Sequence, residues 1–253
     1  MPTPELIVPD WPAPARVKAA ITTRRGGISH PPYSEWNLAH HVGDDETRVS
    51  HNRALLRETL QLPREPQWLE QIHGTSVVEA KDDGRVRTAD GVFSDQPGLA
   101  CAVLTADCLP VLLCNRAGTR VAALHAGWRG LAGGILAAGV ARFSEPSAEL
   151  MAYLGPALSL PRFEVGVEVL EAFFEAARSE AHTDAMAAAF QPGHRPLHFQ
   201  ADLYALARAE LTALGVSQIH GGDFCTGAQD DLFYSYRRDG QTGRMASLIW
   251  INP

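Results

Sequence analysis

The stretch from residue 105 to 130, TADCLPVLLCNRAGTRVAALHAGWRG, places a thiol at Cys108 and an imidazole at His125 within one compact unit. Two apolar runs flank Asn115-Arg116-Ala117-Gly118-Thr119, a turn-rich five, and predict an antiparallel hairpin. With Cys114 opposite Arg120, Cys108 falls across from Ala126 and therefore beside His125. Cβ atoms so placed lie about 4.5–5.5 Å apart, within the span of two ligands on one metal ion. The same pair would also serve a metal-free reaction, with Cys108 as nucleophile and His125 as base. Pro110 cannot donate to a ladder, so a bulge or an edge position is expected there, and the register is open to a shift of one residue.

After His125 the chain continues Ala126-Gly127-Trp128-Arg129-Gly130 into an alanine-, glycine- and leucine-rich stretch, 131–143, that predicts a helix. A strand, glycine turn and helix in that order aim backbone N–H groups and a positive helix end at the region of His125, which suits a phosphate or carboxylate. Arg129 would reinforce it, the plain alternative being a tight turn with a solvated arginine. A third candidate ligand, His73, ends the run Trp68-Leu69-Glu70-Gln71-Ile72-His73 before Gly74. The separations of 35 and 17 residues between His73, Cys108 and His125 match no short zinc-finger pattern, so spacing alone does not single His73 out. Of the ten histidines, His30, His40, His41, His51, His182, His194, His198 and His220 are read as surface or core residues.

The elements that must position these groups follow from periodicity. Strands are expected at 18–23, 67–72, 76–80, 99–105, 111–114, 120–125, 151–154 and 246–251. Helices are expected at 45–60, 167–181 and 202–214, the last closed by Gly215. Strands cluster in hairpin-like groups with helices between them, which favours an α+β architecture with mixed sheets over a doubly wound one. No repeat or linker divides the 253 residues, so a single domain, 1–253, is expected.

Formal charge is −7, with no lysine/arginine block, so the basic footprint of a nucleic-acid binder is missing and no nucleic-acid partner is expected. Five prolines stand in the first twenty residues and the longest apolar stretch, 99–114, is interrupted by Asp107 and Pro110; neither a secretory leader nor a membrane partner is expected. Cys101, Cys108, Cys114 and Cys225 are then expected as reduced thiols in a cytoplasmic protein.

A set of short segments carries a further pattern. The segments are Thr22-Thr23-Arg24 with Gly26-Gly27, Asn37-Leu38, His41-Val42-Gly43-Asp44-Asp45, Asn52-Arg53, Gln71-Ile72-His73-Gly74, and Thr105-Ala106-Asp107-Cys108. They continue with His125-Ala126-Gly127-Trp128-Arg129-Gly130, Phe163-Glu164-Val165-Gly166, Ser235-Tyr236-Arg237-Arg238 and Thr242-Gly243-Arg244, and so span nearly the whole chain. Taken together, these segments resemble the laccase-domain family, variously named multicopper polyphenol oxidase, peptidoglycan editing factor or purine nucleoside phosphorylase. Ile28, where valine is more usual, and Arg25 depart from the pattern without touching a ligand. The resemblance implies a four-layer α/β/β/α fold and a zinc ion held by His73, Cys108 and His125, with Cys108 and His125 catalytic. It implies phosphorolysis of adenosine, inosine and methylthioadenosine, and deamination of adenosine, with purine nucleosides and phosphate as the small-molecule partners. Asn37, Arg129 and Arg238 are the candidate substrate-binding residues, Arg129 and Arg238 for phosphate.

Two imidazoles and a thiolate leave one position open, as catalytic zinc requires. Copper is the alternative metal, in a polyphenol-oxidising enzyme, since a His₂Cys set binds it tightly. A trinuclear copper cluster, however, needs many imidazoles, usually from paired His-X-His segments, and the chain has no such pair. The remaining readings are a metal-free Cys–His hydrolase or deamidase and a non-catalytic metal-binding scaffold.

Overall fold

In the computed structural model, which describes residues 3–253, the hairpin of Leu109–Asn115 and Val121–Ala126 lies at the centre of a six-stranded mixed sheet. All thirteen residues of the two strands are buried. Alternate side chains explain why. Leu109, Val111, Leu113, Ala122 and Leu124 pack against helices, whereas Leu112, Cys114, Val121 and Ala123 face a second sheet. A strand with no wet face is written as a continuous apolar run, as Leu109–Asn115 is.

The second sheet is four-stranded and antiparallel, in the order Leu6–Ile7, Val17–Thr22, Met245–Ile251, Cys101–Thr105. Its inner face gives Val17, Ile21, Cys101, Val103, Ile249 and Ile251 to the sheet–sheet core. Its outer face, with Ala20, Ala102, Leu104, Leu248 and Trp250, packs on Leu56 of the helix Glu46–Thr59 and on Trp36 and Leu38. On the far side, helices Ile135–Val140, Val167–Glu175, Glu180–Ala188 and Leu203–Ala213 cover the six-stranded sheet through Ile135, Leu136, Val169, Phe173, Met186, Leu206 and Leu211. The expected four-layer α/β/β/α arrangement is therefore present. One sheet is mixed, as expected, and the other is wholly antiparallel. No helix among the described residues is long and apolar enough to cross a membrane.

Four local expectations are corrected. The hairpin register is one residue from the anticipated pairing: Asn115 closes the turn, Cys114 faces Val121 and Pro110 faces His125. Asn115 sets this, because its Oδ1 accepts the N–H groups of Thr119 and Arg120 and its carbonyl accepts that of Gly118. Pro110 occupies neither an edge nor a bulge. It lies one residue beyond Val111, which pairs with Leu154 at the end of the neighbouring strand, and its carbonyl accepts the Gly155 N–H at 2.9 Å. The helix expected at 131–143 starts earlier, at Trp128, and breaks at Gly134, whose φ of 96° ends Trp128–Gly133 and begins Ile135–Val140. The helix expected at 167–181 ends at Glu175; a new one starts at Glu180, capped by the Ser179 hydroxyl on the His182 N–H.

Candidate metal centre

The period of two along the hairpin places the chemistry. Val121 and Ala123 face the opposite sheet, and His125 continues their row; Leu112 and Cys114 do the same, and Cys108 precedes them in phase. Both groups arrive at the open end of the sandwich, beside the end of Cys101–Thr105. His73 comes from a loop whose position is fixed by Gln71. Its carboxamide pairs with both the N–H and the C=O of Leu104 at 2.8 Å, so a side chain completes the sheet edge.

There the three candidate ligands meet. One donor atom from each of His73, Cys108 and His125 lies within 4.8 Å of the others, and this is the single such cluster of three among the described residues. Cys108 Sγ is 3.8 Å from His73 Nε2, and the two imidazole rings stand edge to face with centroids 4.8 Å apart. Tetrahedral zinc would draw such donors to about 3.3–3.6 Å of one another, a closure of roughly an ångström. His73 adopts φ 61°, and Asp107, which precedes Cys108, adopts φ 96°. Non-glycine residues with positive φ carry backbone strain that surrounding contacts must hold. Around Asp107 those contacts are the Thr226 hydroxyl and the Arg237 N–H, both at 2.7 Å to its carboxylate. Gly127 is needed for space: a Cβ there would lie 2.9 Å from Cys108 Sγ and 3.1 Å from His73 Cδ2.

Asp90 was not singled out from the sequence, and it organises two of the ligands. Fully buried, it accepts His125 Nδ1–H and the His73 N–H on Oδ1, at 2.8 and 2.9 Å. Its Oδ2 accepts the N–H groups of Ile72 and Gly74 at 3.2 and 2.6 Å. A histidine whose Nδ1 is held by a carboxylate presents Nε2 as a lone pair, the tautomer a metal needs. Burial alone would raise the Asp90 carboxyl, but the His125 and backbone hydrogen bonds outweigh it and hold it below the ordinary aspartate value. Cys108 shows the same balance: burial pushes the thiol up, and the hydrogen bonds from His125 and His73 bring it well below its ordinary value. His125 is displaced upward by Asp90 and Cys108 against the downward pull of burial. Cys101 and Cys114, in the sheet–sheet core, are pushed up by burial alone. The donor set, its acidified thiol and the carboxylate behind His125 all fit a divalent transition metal.

The cluster opens on a cavity of about 560 Å³. Its lining mixes Arg129, Arg237, Arg244 and His41 with Leu158, Phe163, Leu203, Trp128 and Tyr236. The guanidinium of Arg129 lies 4.3 Å from the Trp128 ring centroid, and that of Arg237 lies 5.5 Å from that of Phe163. Burial, with Arg244 and Arg53 close by, lowers His41, so its imidazole is neutral near pH 7.

Of the three substrate-binding candidates, Arg129 reaches this cavity and two do not. Asn37 is fully buried, its carboxamide bonded to both backbone groups of Ala39, to Asp44 and to the Arg244 N–H. It fixes the position of Arg244 instead of meeting a ligand. Arg238 bonds to the carbonyls of Thr226 and Phe233 and to Asp239, and its neighbour Arg237 takes the cavity wall. Side-chain direction in the four-residue helix Tyr236–Asp239 decides between the two arginines, and composition could not. His41, grouped with the histidines of no role, also lines the cavity. Gln71, Asp107, Arg237 and Arg244 all stand in the segments that carry the family resemblance, which was the available signal; Asp90 stands in none. The helix behind Gly127 has only six residues, too short to make its N-terminus an anion site by itself.

The four-layer α/β/β/α fold thus carries an open two-histidine, one-cysteine cluster that could hold a metal ion, under an arginine-lined cavity. The chain belongs to the multi-copper polyphenol oxidoreductase laccase family, whose model matches residues 18–252. It is 53% identical over 245 residues to a protein named purine nucleoside phosphorylase PA4543 from Pseudomonas aeruginosa, covering 97% of this chain and 98% of that one. Identity to the Escherichia coli K12 protein named purine nucleoside phosphorylase YfiH is 49% over 248 residues, covering 98% and 99%. The crystal structure of Neisseria meningitidis protein NMB0706 superposes with a TM-score of 0.92 at 50% identity, covering 98% of this chain and 99% of that one.

Proposed function

We propose that this protein is a zinc-dependent purine nucleoside phosphorylase acting on adenosine, inosine and methylthioadenosine, and that it deaminates adenosine at the same site. The observation that carries the reading is the junction of the His73–Cys108–His125 cluster with a cavity whose wall offers Arg129, Arg237 and Arg244. The names of the relatives support the same activity.

Phosphorolysis forms a bond between a phosphate oxygen and C1′ of the ribose while the bond from C1′ to the purine nitrogen breaks, and the departing base takes up a proton. The chain's part is to hold an anion against C1′, which guanidinium groups do by charge-assisted hydrogen bonds. Arg244 is anchored for this by its N–H on Asn37 and by the carbonyls of Thr242 and Gly243. Leu158, Phe163 and Leu203 supply an apolar wall for the base, and Tyr236 supplies an aromatic face. His73, Cys108 and His125 would hold the zinc, which supplies Lewis acidity for the hydrolytic deamination of adenosine. Copper in the same three ligands is the alternative that the family's description suggests.

The test is metal analysis of protein purified without chelator, paired with inosine phosphorolysis before and after zinc removal. Activity that follows zinc content supports the reading; zinc-loaded protein inert toward all three nucleosides refutes it. One observation favours a second reading, a metal-free hydrolase: the Cys108 thiol is already acidified by His125 and His73. Cys108→Ala distinguishes the two, because loss of zinc with activity fits a ligand, whereas retained zinc without turnover fits a nucleophile.

A further inference from the structure

Phosphorolysis leaves a purine nitrogen that must take up a proton, and the cavity wall narrows the choice of donor. His73, Cys108 and His125 are committed to the cluster. Both oxygens of the Asp107 carboxylate already accept, one from the Thr226 hydroxyl and one from the Arg237 N–H, each at 2.7 Å. The guanidinium groups of Arg129, Arg237 and Arg244 do not release a proton inside a protein. Two lining groups are left, the phenol of Tyr236 and the imidazole of His41. A phenol ionises about three units above neutral pH, whereas an imidazole exchanges its proton close to it.

The backbone under His41 is held in place. It lies in the single turn His40–Val42, where the Val42 carbonyl accepts the Tyr33 hydroxyl at 2.7 Å. Asn37 fixes this segment against Arg244, since its Nδ2 donates to Asp44 at 2.9 Å and its Oδ1 accepts the Arg244 N–H at 3.0 Å. No hydrogen bond within the described residues engages the His41 ring; burial, then Arg244, Arg53 and His40, all act against the imidazolium. An anion held on Arg244 cancels the largest of those charges, so phosphate entering the cavity favours proton uptake by the ring beside it.

Resting on the phosphorylase reading of the cavity, we propose that His41 is the catalytic acid of phosphorolysis, giving its proton to the purine as the bond to C1′ breaks. The imidazole draws a proton from solvent when hydrogen phosphate binds. A phosphate oxygen then bonds to C1′, the electron pair of the C1′–N bond stays with the purine, and the imidazolium proton neutralises it. The proton left on the new phosphate ester returns to solvent, so the ring is reset.

The test compares inosine with 7-methylinosine, whose purine already carries a positive charge and departs as a neutral base without taking a proton. In zinc-loaded His41→Gln, kcat for inosine is expected to fall about a hundred- to ten-thousandfold, the usual worth of a general acid, while 7-methylinosine keeps its wild-type rate. Calorimetric titration with sulfate, an anion that does not itself titrate near neutral pH, in two buffers of different ionisation enthalpy reads the proton linkage directly. Wild-type protein should take up as much as about one proton per sulfate and His41→Gln none, with zinc content and Tm unchanged. An equal fall for both nucleosides overturns the proposal, as does proton uptake that survives the substitution. Tyr236→Phe reproducing the inosine-selective loss would overturn it too, by assigning the proton to the phenol. If the wild-type protein cleaves neither nucleoside, the phosphorylase reading fails first and takes this role of His41 with it.

Discussion

Replacing Asp90 by asparagine changes one atom's chemistry at the point where two candidate metal ligands are held. Two N–H groups converge on each carboxylate oxygen, His125 Nδ1–H and the His73 N–H on Oδ1, those of Ile72 and Gly74 on Oδ2. An amide cannot serve both pairs. With its oxygen toward His125, the NH₂ faces the N–H groups of Ile72 and Gly74, and each donor left unpaired costs about 1–3 kcal/mol. With its NH₂ toward His125, the imidazole must move its proton to Nε2, the nitrogen needed for the metal. Either orientation is penalised, the first mainly in stability and the second mainly in metal binding. Asp90→Asn is expected to lose roughly 2–6 kcal/mol of stability in the first orientation, or about 5–20 °C in Tm. In the second, zinc affinity falls about ten- to a hundredfold, the usual scale for such a partner. Zinc competition against a chromophoric chelator reads the affinity, thermal melting in excess chelator reads the stability, and ¹⁵N chemical shifts of the His125 ring report the tautomer. Unchanged zinc affinity together with an unchanged Tm would refute the reasoning.

Gly127→Ala, with φ −61° and ψ 158°, strains no backbone but puts a methyl group 2.9 Å from Cys108 Sγ, so overpacking of about 1–3 kcal/mol should appear as roughly five- to a hundredfold weaker zinc binding, and wild-type affinity would contradict it. Arg129→Ala and Arg244→Ala should each raise the KM for phosphate about ten- to a hundredfold while zinc content and adenosine deamination hold; an equal fall in both reactions would place these arginines on the nucleoside instead. Because the folded Asp90 lies below its unfolded value of about 3.9, its contribution is complete above that value and is lost as pH falls through the lower folded one. Metal-free protein should therefore lose stability in that acid window, and Asp90→Asn should show a shallower acid limb; parallel limbs in urea titrations would count against the assignment.

Much of the sandwich was legible because apolar runs and their turns state strand positions directly, as Leu109–Asn115 does. Its register was not, because a single carboxamide, that of Asn115, chose which residues close the turn. The pairing of Cys108 with His125 survived the one-residue shift since both groups lie at strand ends, where neighbours remain close. The cavity arginines were only half legible. Arg129 follows its ligand in sequence, whereas Arg237 and Arg238 differ in a direction that the Asp107 carboxylate fixes from 130 residues away. Asp90 was invisible for a related reason: a lone aspartate before a strand acquires meaning only when a loop and a strand fold around it.

The strand Met245–Ile251, last in the chain, is inserted between Val17–Thr22 and Cys101–Thr105 instead of lying at an edge. While that slot is empty, the two neighbours have no common partner, and Ile249 and Ile251 are missing from the core that backs the hairpin. Met245 pairs with Thr105, three residues before Cys108. During synthesis, the thiolate and both imidazoles therefore leave the ribosome long before the support that aligns them. A chain cut short before Met245 would present the three candidate ligands without that support, and would hold a metal ion less tightly than one in which the slot is filled.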